Sequence, residues 1–296
     1  MLAGVDTFVW NISNKIGFNC RKVIVVDDSE IAARRWIGDM SMQTLVATEL
    51  QGGVLWVRLK RAQKRNALSR QLLACIKAAF LEWRDNDSVH LAMLIGDGER
   101  AFASGGDVKE LMDMRAENEA RRFADETRSV LDCIRQFPVP VIAALNGDAL
   151  GGGAELALAC DLRFVAPHAR LGFLQGGLGI STAWGGGTDL MRVVGTAKAL
   201  DLLCGADLVS AEQALAMGLI SSVAAAGEPF EGQAGKYAAR FAKRPAQVMR
   251  AFKALATAFR AGAAGAELAE VEGSHFAKTW VHDDHWKAVA AVFPGR

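Results

Sequence analysis

A single acidic residue, Glu155, stands in an apolar stretch directly after three consecutive glycines at 151–153. Because glycine has no Cβ, the backbone N–H groups of such a turn can come close to a ligand. The apolar run 154–159 predicts a helix, whose first turn offers free N–H donors and the positive end of the helix dipole. A carboxylate among apolar neighbours is expected to be partly desolvated, which raises its pKa and suits proton transfer. The alternative is that the glycines only permit tight packing and that Glu155 caps its own helix.

A second glycine turn follows the apolar run 89–95 and ends at Gly106, where Asp107 is placed to cap a helix that begins near Val108. The turn that contains Gly152 follows the apolar run 139–145 in the same way. Two such turns would allow a fold to aim the backbone N–H groups of Gly106 and Gly152 at a single oxygen atom. That arrangement is an oxyanion hole, which stabilises an oxygen that becomes negative during a reaction.

A basic segment precedes both turns and contains Lys60, Arg61, Lys64 and Arg65 within six residues. Most basic loops are solvated rims of a protein surface. As a functional element, this loop would hold phosphate groups.

The elements that position these residues follow from apolar periodicity. Segments 45–50 and 54–59 flank Gly52 and Gly53 and predict a β-hairpin. Ser69 is predicted to cap a helix over 70–85. Further helices are predicted at 118–136, 197–203 and 210–217, and a further strand at 161–166. Strands alternate with helices over the first two thirds of the chain and only helices follow, which indicates an α/β core with a helical C-terminal part.

The predicted organisation has three parts. Residues 1–43 are treated as an N-terminal extension, in which 23–26 could form a strand and 31–37 a short helix. Residues 44–230 form the core and residues 231–296 the helical C-terminal region.

Composition excludes several classes of protein. The chain has 296 residues, of which 51% are hydrophobic and 23% charged, so it can bury a sizeable core. A formal net charge of +1, with scattered basic residues, gives no indication of nucleic acid or an anionic membrane as a partner. Five widely spaced cysteines without CxxC pairs argue against disulfides or structural zinc. With no apolar run of 18 residues and no secretion signal, a cytoplasmic location is expected.

Five motifs, taken together and in this order, resemble the crotonase family, also called the enoyl-CoA hydratase/isomerase superfamily. They are RAQKRNAL at 61–68, AFASGGDVKEL at 101–111, PVIAALNGDALGGGAELA at 140–157, CDLR at 160–163 and SAEQALAMGL at 210–219. The resemblance runs from about Thr44 to the C-terminus.

The resemblance implies a spiral of ββα units, a C-terminal helical region used to form a homotrimer or a dimer of trimers, and an acyl-CoA thioester as substrate. It implies that Gly106 and Gly152 hold the thioester oxygen as it becomes an enolate. The coenzyme A site would include Arg61, Ala62, Lys64, Arg65, Asp107 and Lys109, with Lys64 and Arg65 as the main phosphate partners. Lys287 is a weaker phosphate candidate, in a neighbouring subunit. No cofactor besides coenzyme A and no metal is expected.

The hydratases of this family use two glutamates, and Glu155 matches the first of them. Alignment on Gly172 and Gly179 places Gln175 at the second position. A side-chain amide can orient water but cannot accept and return a proton, so hydration of a double bond should be slow.

Three possible functions therefore stay open. Glu155 alone could move a proton between carbon atoms in an isomerisation, or a malonyl-type CoA thioester could lose CO₂ and form its enolate without a base. The Trp184-Gly185-Gly186 segment is similar to that of family members that decarboxylate such esters. The third alternative is a protein of this fold that binds acyl-CoA but has lost catalysis.

Other enzyme classes are disfavoured. The glycine-rich segments lack the G-x-G-x-x-G and P-loop spacings of nucleotide sites, and no G-x-S-x-G elbow of a serine hydrolase occurs. His282 and His285 lie in a charged segment near the C-terminus, where exposed histidines are expected rather than a metal site.

Overall fold

The computed structural model describes residues 45–293. The extension 1–43, with the strand proposed at 23–26 and the helix proposed at 31–37, lies outside the described residues.

Residues 45–293 form an α/β structure whose strands and helices are numbered in chain order. The strands are β1 Val46–Gln51, β2 Val54–Leu59, β3 Leu91–Gly96, β4 Ala101–Ala103, β5 Val141–Leu145, β6 Asp148–Leu150, β7 Leu162–Val165, β8 Arg170–Gly172, β9 Leu208–Ser210 and β10 Ser222–Val223. The helices are α1 Arg70–Trp83, α2 Val108–Leu111, α3 Glu117–Arg135, α4 Gly152–Ala159, α5 Gly186–Val194, α6 Thr196–Gly205, α7 Ala211–Ala216, α8 Phe230–Ala242, α9 Ala246–Ala261, α10 Ala266–Trp280 and α11 Asp283–Val292.

The strands form two sheets, and successive strands alternate between them from β3 to β8. One sheet has the order β1-β2-β3-β5-β7-β10, and the other has the order β4-β6-β8-β9. The hairpin β1-β2 is antiparallel, as predicted, whereas β2, β3, β5, β7 and β10 pair in parallel. The pairs β1-β2, β3-β4, β5-β6 and β7-β8 are each followed by a helix, which confirms the predicted spiral of ββα units, whereas α7 separates β9 from β10.

The helices form where apolar spacing and caps predict them. The hydroxyl of Ser69 accepts a hydrogen bond from the N–H of Leu72 and begins α1. On α3, the buried residues lie on one face, as their helical spacing in the sequence predicts, and are Phe123, Thr127, Val130, Leu131 and Ile134. Ser210 and Gln213 form a capping box at the start of α7.

A buried ionic cluster fastens the C-terminal helices to the core. Asp161, which precedes β7, accepts hydrogen bonds from Lys253 Nζ on α9 at 2.6 and 2.8 Å. Arg260 Nη1, on the same helix, lies 2.6 Å from Asp161 Oδ1. The N–H of Val141 donates to Asp161 Oδ2 at 2.7 Å. Among the described residues, no helix is both long enough and apolar enough to cross a membrane.

Candidate active site

The two predicted glycine turns lie side by side because β4 and β6 are parallel neighbours and each turn follows one of these strands. A Cβ added to Gly105 would lie 3.7 Å from the backbone nitrogen of Gly152. Within residues 45–293, the N–H groups of Gly106 and Gly152 have no hydrogen-bond acceptor. Two backbone donors from distant parts of the chain are thus brought together at one edge of the smaller sheet.

The three consecutive glycines are required for three different reasons. Gly151 has a φ of +51°, a conformation that a residue with a Cβ rarely adopts. A Cβ on Gly152 would lie 2.0 Å from Cζ3 of Trp184, and a Cβ on Gly153 would lie 2.0 Å from the carbonyl oxygen of Ala103. Glycine is therefore needed at 152 because Trp184 lies close to it, and at 153 because β4 lies close to it. These contacts require glycine whether or not a ligand binds.

Glu155 lies on the first turn of α4 and is only 2% exposed. Its Oε1 accepts a hydrogen bond from Gln175 Nε2 at 2.9 Å, and its Oε2 accepts from the N–H groups of Trp184 at 3.0 Å and Gly186 at 2.9 Å. The carboxylate therefore holds the 175–186 segment rather than capping its own helix. Gly186 must be a glycine here, since a Cβ would lie 2.2 Å from Glu155 Cγ.

Burial raises the pKa of Glu155 above its ordinary value of 4.5, as predicted. The hydrogen bonds from Gly186, Trp184 and Gln175 and the charge of Arg135 act in the opposite direction but do not cancel the effect of burial. A carboxyl group with a raised pKa keeps its proton to a higher pH than an exposed one, which suits it to proton transfer.

Gln175, which the alignment on flanking glycines placed at the position of the family's second glutamate, lies against Glu155 and is 7% exposed. Its Nε2 is occupied by the carboxylate, whereas its buried Oε1 has no hydrogen-bond partner among the described residues. An unpaired buried acceptor costs roughly 1–3 kcal/mol. The amide oxygen can thus receive a donor that enters the site.

The indole of Trp184 lies beside both glycine turns and is 7% exposed. The benzo edge of the ring that approaches Gly152 also lies near Gly106, where an added Cβ would be 3.7 Å from Cη2. Phe123 of α3 packs edge-on against the indole, with ring centroids 6.0 Å apart. The sequence indicated Trp184 only through the likeness of its segment to decarboxylating family members, and Phe123 only as an apolar residue of the helix predicted at 118–136.

Arg135, at the end of α3, fixes the segment that carries Trp184. Its Nη2 donates to the carbonyl oxygen of Trp184 at 2.9 Å, and its Nε donates to Asp189 Oδ2 at 2.8 Å. Sequence reasoning missed this residue, because its partners lie about 50 residues further along the chain and no local pattern links them.

Arg61 and Asp107 pair with each other, with Nη1 2.8 Å from Oδ2. Asp107 stands at the N-cap position of α2, as predicted, but its side chain forms no capping hydrogen bond there. The Arg61 guanidinium binds the carboxylate and, with smaller effects from the nearby backbone N–H groups of Glu110 and Lys109, holds the pKa of Asp107 below its usual range.

The basic loop is fastened to the turn that contains Gly106. Asn66, a buried residue that sequence reasoning did not single out, donates from Nδ2 to the carbonyl oxygen of Ala101 at 2.8 Å. The N–H of Ser104 donates to the carbonyl oxygen of Arg65 at 3.1 Å, and the N–H of Leu68 donates to the carbonyl oxygen of Gly105 at 2.8 Å. Movement of the loop would therefore disturb the glycine turn.

The other residues predicted to contact coenzyme A are exposed, namely Ala62, Lys64, Arg65 and Lys109. No described residue forms an ion pair with Lys64 or Arg65. Lys287, far along the chain on α11, is exposed and lies 3.6 Å from Asp284. Residues 45–293 contain no group of three or more metal-binding side chains, and the His282 side chain begins α11 by accepting from Asp284 N–H.

Comparison with known proteins agrees with this architecture. A family model described as enoyl-CoA hydratase/isomerase matches residues 49–292. Two alternating sheets, paired glycine turns and a buried glutamate thus occur within a chain that belongs to the enoyl-CoA hydratase/isomerase family.

Several relatives and solved structures are similar to the chain. The crotonyl-CoA hydratase of Syntrophomonas wolfei is 39% identical over 165 residues, which are 56% of this chain and 63% of that protein. The short-chain-enoyl-CoA hydratase of Clostridium acetobutylicum is 36% identical over 178 residues, which are 60% of this chain and 68% of that protein. The crystal structure of an enoyl-CoA hydratase from Bacillus anthracis has a TM-score of 0.79 at 28% identity and covers 85% of this chain and 97% of its own.

Proposed function

We propose that this protein binds an acyl-CoA thioester and stabilises its enolate, with the N–H groups of Gly106 and Gly152 on the thioester oxygen and Glu155 as the group that transfers the proton. The observation that carries the proposal is the burial of Glu155, which raises its pKa, on the helix that begins at one of two adjacent glycine turns. Backbone donors preorganised around a developing negative oxygen are among the largest contributions to catalysis.

Proton transfer is the reaction that one carboxylate can perform alone. Glu155 would take a proton from the α-carbon of a 3-enoyl-CoA. The oxygen of the resulting dienolate would accept hydrogen bonds from the N–H groups of Gly106 and Gly152. The protonated Glu155 would then return the proton to the γ-carbon. The product is the 2-enoyl-CoA, with no atom gained or lost. Hydration would need a second acid or base, and Gln175 supplies neither.

Decarboxylation of a malonyl-type CoA thioester is the second candidate, and the surroundings of Glu155 favour it. Three donors already occupy the carboxylate, and an apolar indole lies beside the glycine turns, so few groups are available to bind and activate water. The bond between the α-carbon and the carboxylate would break, its electron pair would form the enolate, and CO₂ would leave. A proton from Glu155 or from solvent would then complete the product.

The exposed cations Lys64 and Arg65 are proposed to bind the phosphates of coenzyme A, with Ala62 and Lys109 nearby and Lys287 contributing from another subunit. Arg61 and Asp107 would support the loop through their ion pair. No cofactor besides the coenzyme A of the substrate is needed for either reaction.

A homotrimer or a dimer of trimers is proposed, since the C-terminal helices expose the aromatic residues Phe252, Phe259, Phe276, Trp280 and Trp286.

The test is to incubate the purified protein with crotonyl-CoA, a 3-enoyl-CoA, and methylmalonyl- and ethylmalonyl-CoA. Mass spectrometry reports a gain of water or a loss of CO₂, and chromatography separates the enoyl isomers. Conversion of the 3-enoyl or the malonyl-type ester, with little hydration of crotonyl-CoA, is the expected result. Tight binding of all four esters without any conversion would identify an acyl-CoA-binding protein that has lost catalysis.

A further inference from the structure

The Trp184 indole is a side chain that approaches both glycine turns. Its benzo edge contacts Gly152 so closely that a Cβ on that glycine would overlap Cζ3 and Cη2, and the same edge lies near Gly106. An acyl group whose carbonyl oxygen rested on these two N–H groups would begin within a few ångströms of the ring. The indole therefore lies within reach of an acyl chain bound at these two glycines.

We propose that Trp184 ends the acyl pocket and restricts this protein to CoA thioesters with short acyl groups. The inference rests on the proposed function, because it places the thioester carbonyl at Gly106 and Gly152. It adds a substrate class, namely acyl groups of about four carbons or fewer, since an indole fills the volume of several methylene groups.

The indole is held so that it cannot readily turn away from an incoming chain. The backbone of Trp184 is fixed on both sides, by its N–H to Glu155 Oε2 at 3.0 Å and by its carbonyl oxygen to Arg135 Nη2 at 2.9 Å. The ring itself packs edge-on against Phe123 at 6.0 Å. A close-packed aromatic wall with these contacts excludes extra methylene groups at a cost that a flexible side chain would not impose.

The Phe123 ring is itself in contact with a cationic side chain. The Arg70 guanidinium lies 4.8 Å from the centroid of the Phe123 ring. Leu111 completes the apolar surface near Gly106, where its Cδ1 would lie 3.4 Å from an added Cβ. Trp184, Phe123 and Leu111 thus form an apolar surface from three separate segments of the chain. Such a surface can limit the length of an alkyl chain.

Isothermal titration with acetyl-, butyryl-, hexanoyl- and octanoyl-CoA tests the inference without requiring net turnover, because these saturated esters give no isomerised or decarboxylated product. The wild-type protein should bind the two short esters and bind octanoyl-CoA at least about tenfold more weakly, as one or two misplaced methylene groups can cost. Trp184→Ala should remove this difference and bind octanoyl-CoA about tenfold more tightly than the wild type. Trp184→Phe should give an intermediate shift and serves as the test if the alanine variant does not fold.

Trp83→Phe is the matched control, since it changes a buried tryptophan on α1 that has no contact with the two glycine turns. It should leave the chain-length profile as it is in the wild type. Equal wild-type affinity for all four esters, or an unchanged profile in both folded Trp184 variants, would overturn the inference and leave the proposed function standing. Failure of every ester to bind would overturn both.

Discussion

The side-chain amide of Gln175 donates directly to Glu155 Oε1 at 2.9 Å. A group that cannot exchange protons therefore sits against the only buried carboxylate at the glycine turns in the described part of the chain. In the proposed function, this contact limits the reactions that the site can perform. One carboxylate supports proton transfer to and from a single carbon skeleton, whereas addition of water requires a second proton-transferring group.

Gln175→Glu should increase the hydration of crotonyl-CoA by at least about tenfold, because it restores the second general acid or base. Initial rates of hydration, followed by loss of the conjugated double bond, measure the change. Gln175→Met removes the amide without adding a carboxylate and is the control. An unchanged rate in Gln175→Glu would mean that a different position carries the missing acid.

Gly152→Ala should destabilise the protein by about 1–3 kcal/mol, because the new methyl group overlaps the Trp184 ring. In a Trp184→Ala background the same change should cost nothing, since the ring is gone and alanine is favoured over glycine in a helix by about 0.5–1 kcal/mol. Urea unfolding of the four proteins gives the coupling energy between the two sites. Additive effects would show that the ring does not restrict position 152.

Arg135→Ala should destabilise the protein by about 3 kcal/mol, because it leaves the buried Asp189 with only the longer contact to Arg192. It should also lower turnover, since the Trp184 carbonyl loses its donor. Arg121→Ala is the control, as its pair with Asp125 lies on the exposed face of the same helix and should contribute less than about 1 kcal/mol. Equal losses in the two variants would contradict the positioning role of Arg135.

Much of this fold could be predicted because its determinants are local. The Ser69 cap, the apolar face of α3 and the hairpin β1-β2 each follow from residues a few positions apart, and the structure confirms them. The raised pKa of Glu155 could also be predicted, since its neighbours in sequence are apolar. Contacts between distant segments could not be predicted, which is why Arg135 was missed and Asp107 was assigned to a cap rather than to Arg61.

Burial of Glu155 should also appear in the pH dependence of stability. Its pKa is raised from 4.5 on folding, so the folded state binds more protons than the unfolded state above that pH. Its contribution to the free energy of unfolding therefore falls as pH rises from about 4.5 to the raised pKa and is constant above it. Glu155→Gln removes this fall.

The measurement is urea unfolding of the wild type and Glu155→Gln from about pH 4 to about pH 8. The variant should gain stability relative to the wild type as pH increases, because the introduced amide does not titrate. Glu119→Gln, an exposed change on α3, is the control. A stability difference that is independent of pH, or that favours the wild type more at high pH, would contradict the effect of burial.

The most direct test of the central claim is exchange of the α-protons of butyryl-CoA in D₂O, followed by mass spectrometry. This exchange requires an enolate and a proton-transferring group, but it does not depend on which net reaction the protein performs. The wild type should catalyse exchange, and Glu155→Gln should slow it by about 10²- to 10⁴-fold while binding of the ester is retained. Exchange at the same rate in the two proteins, or no exchange by the wild type despite saturating ester, would contradict the assignment of Glu155 beside the Gly106 and Gly152 donors.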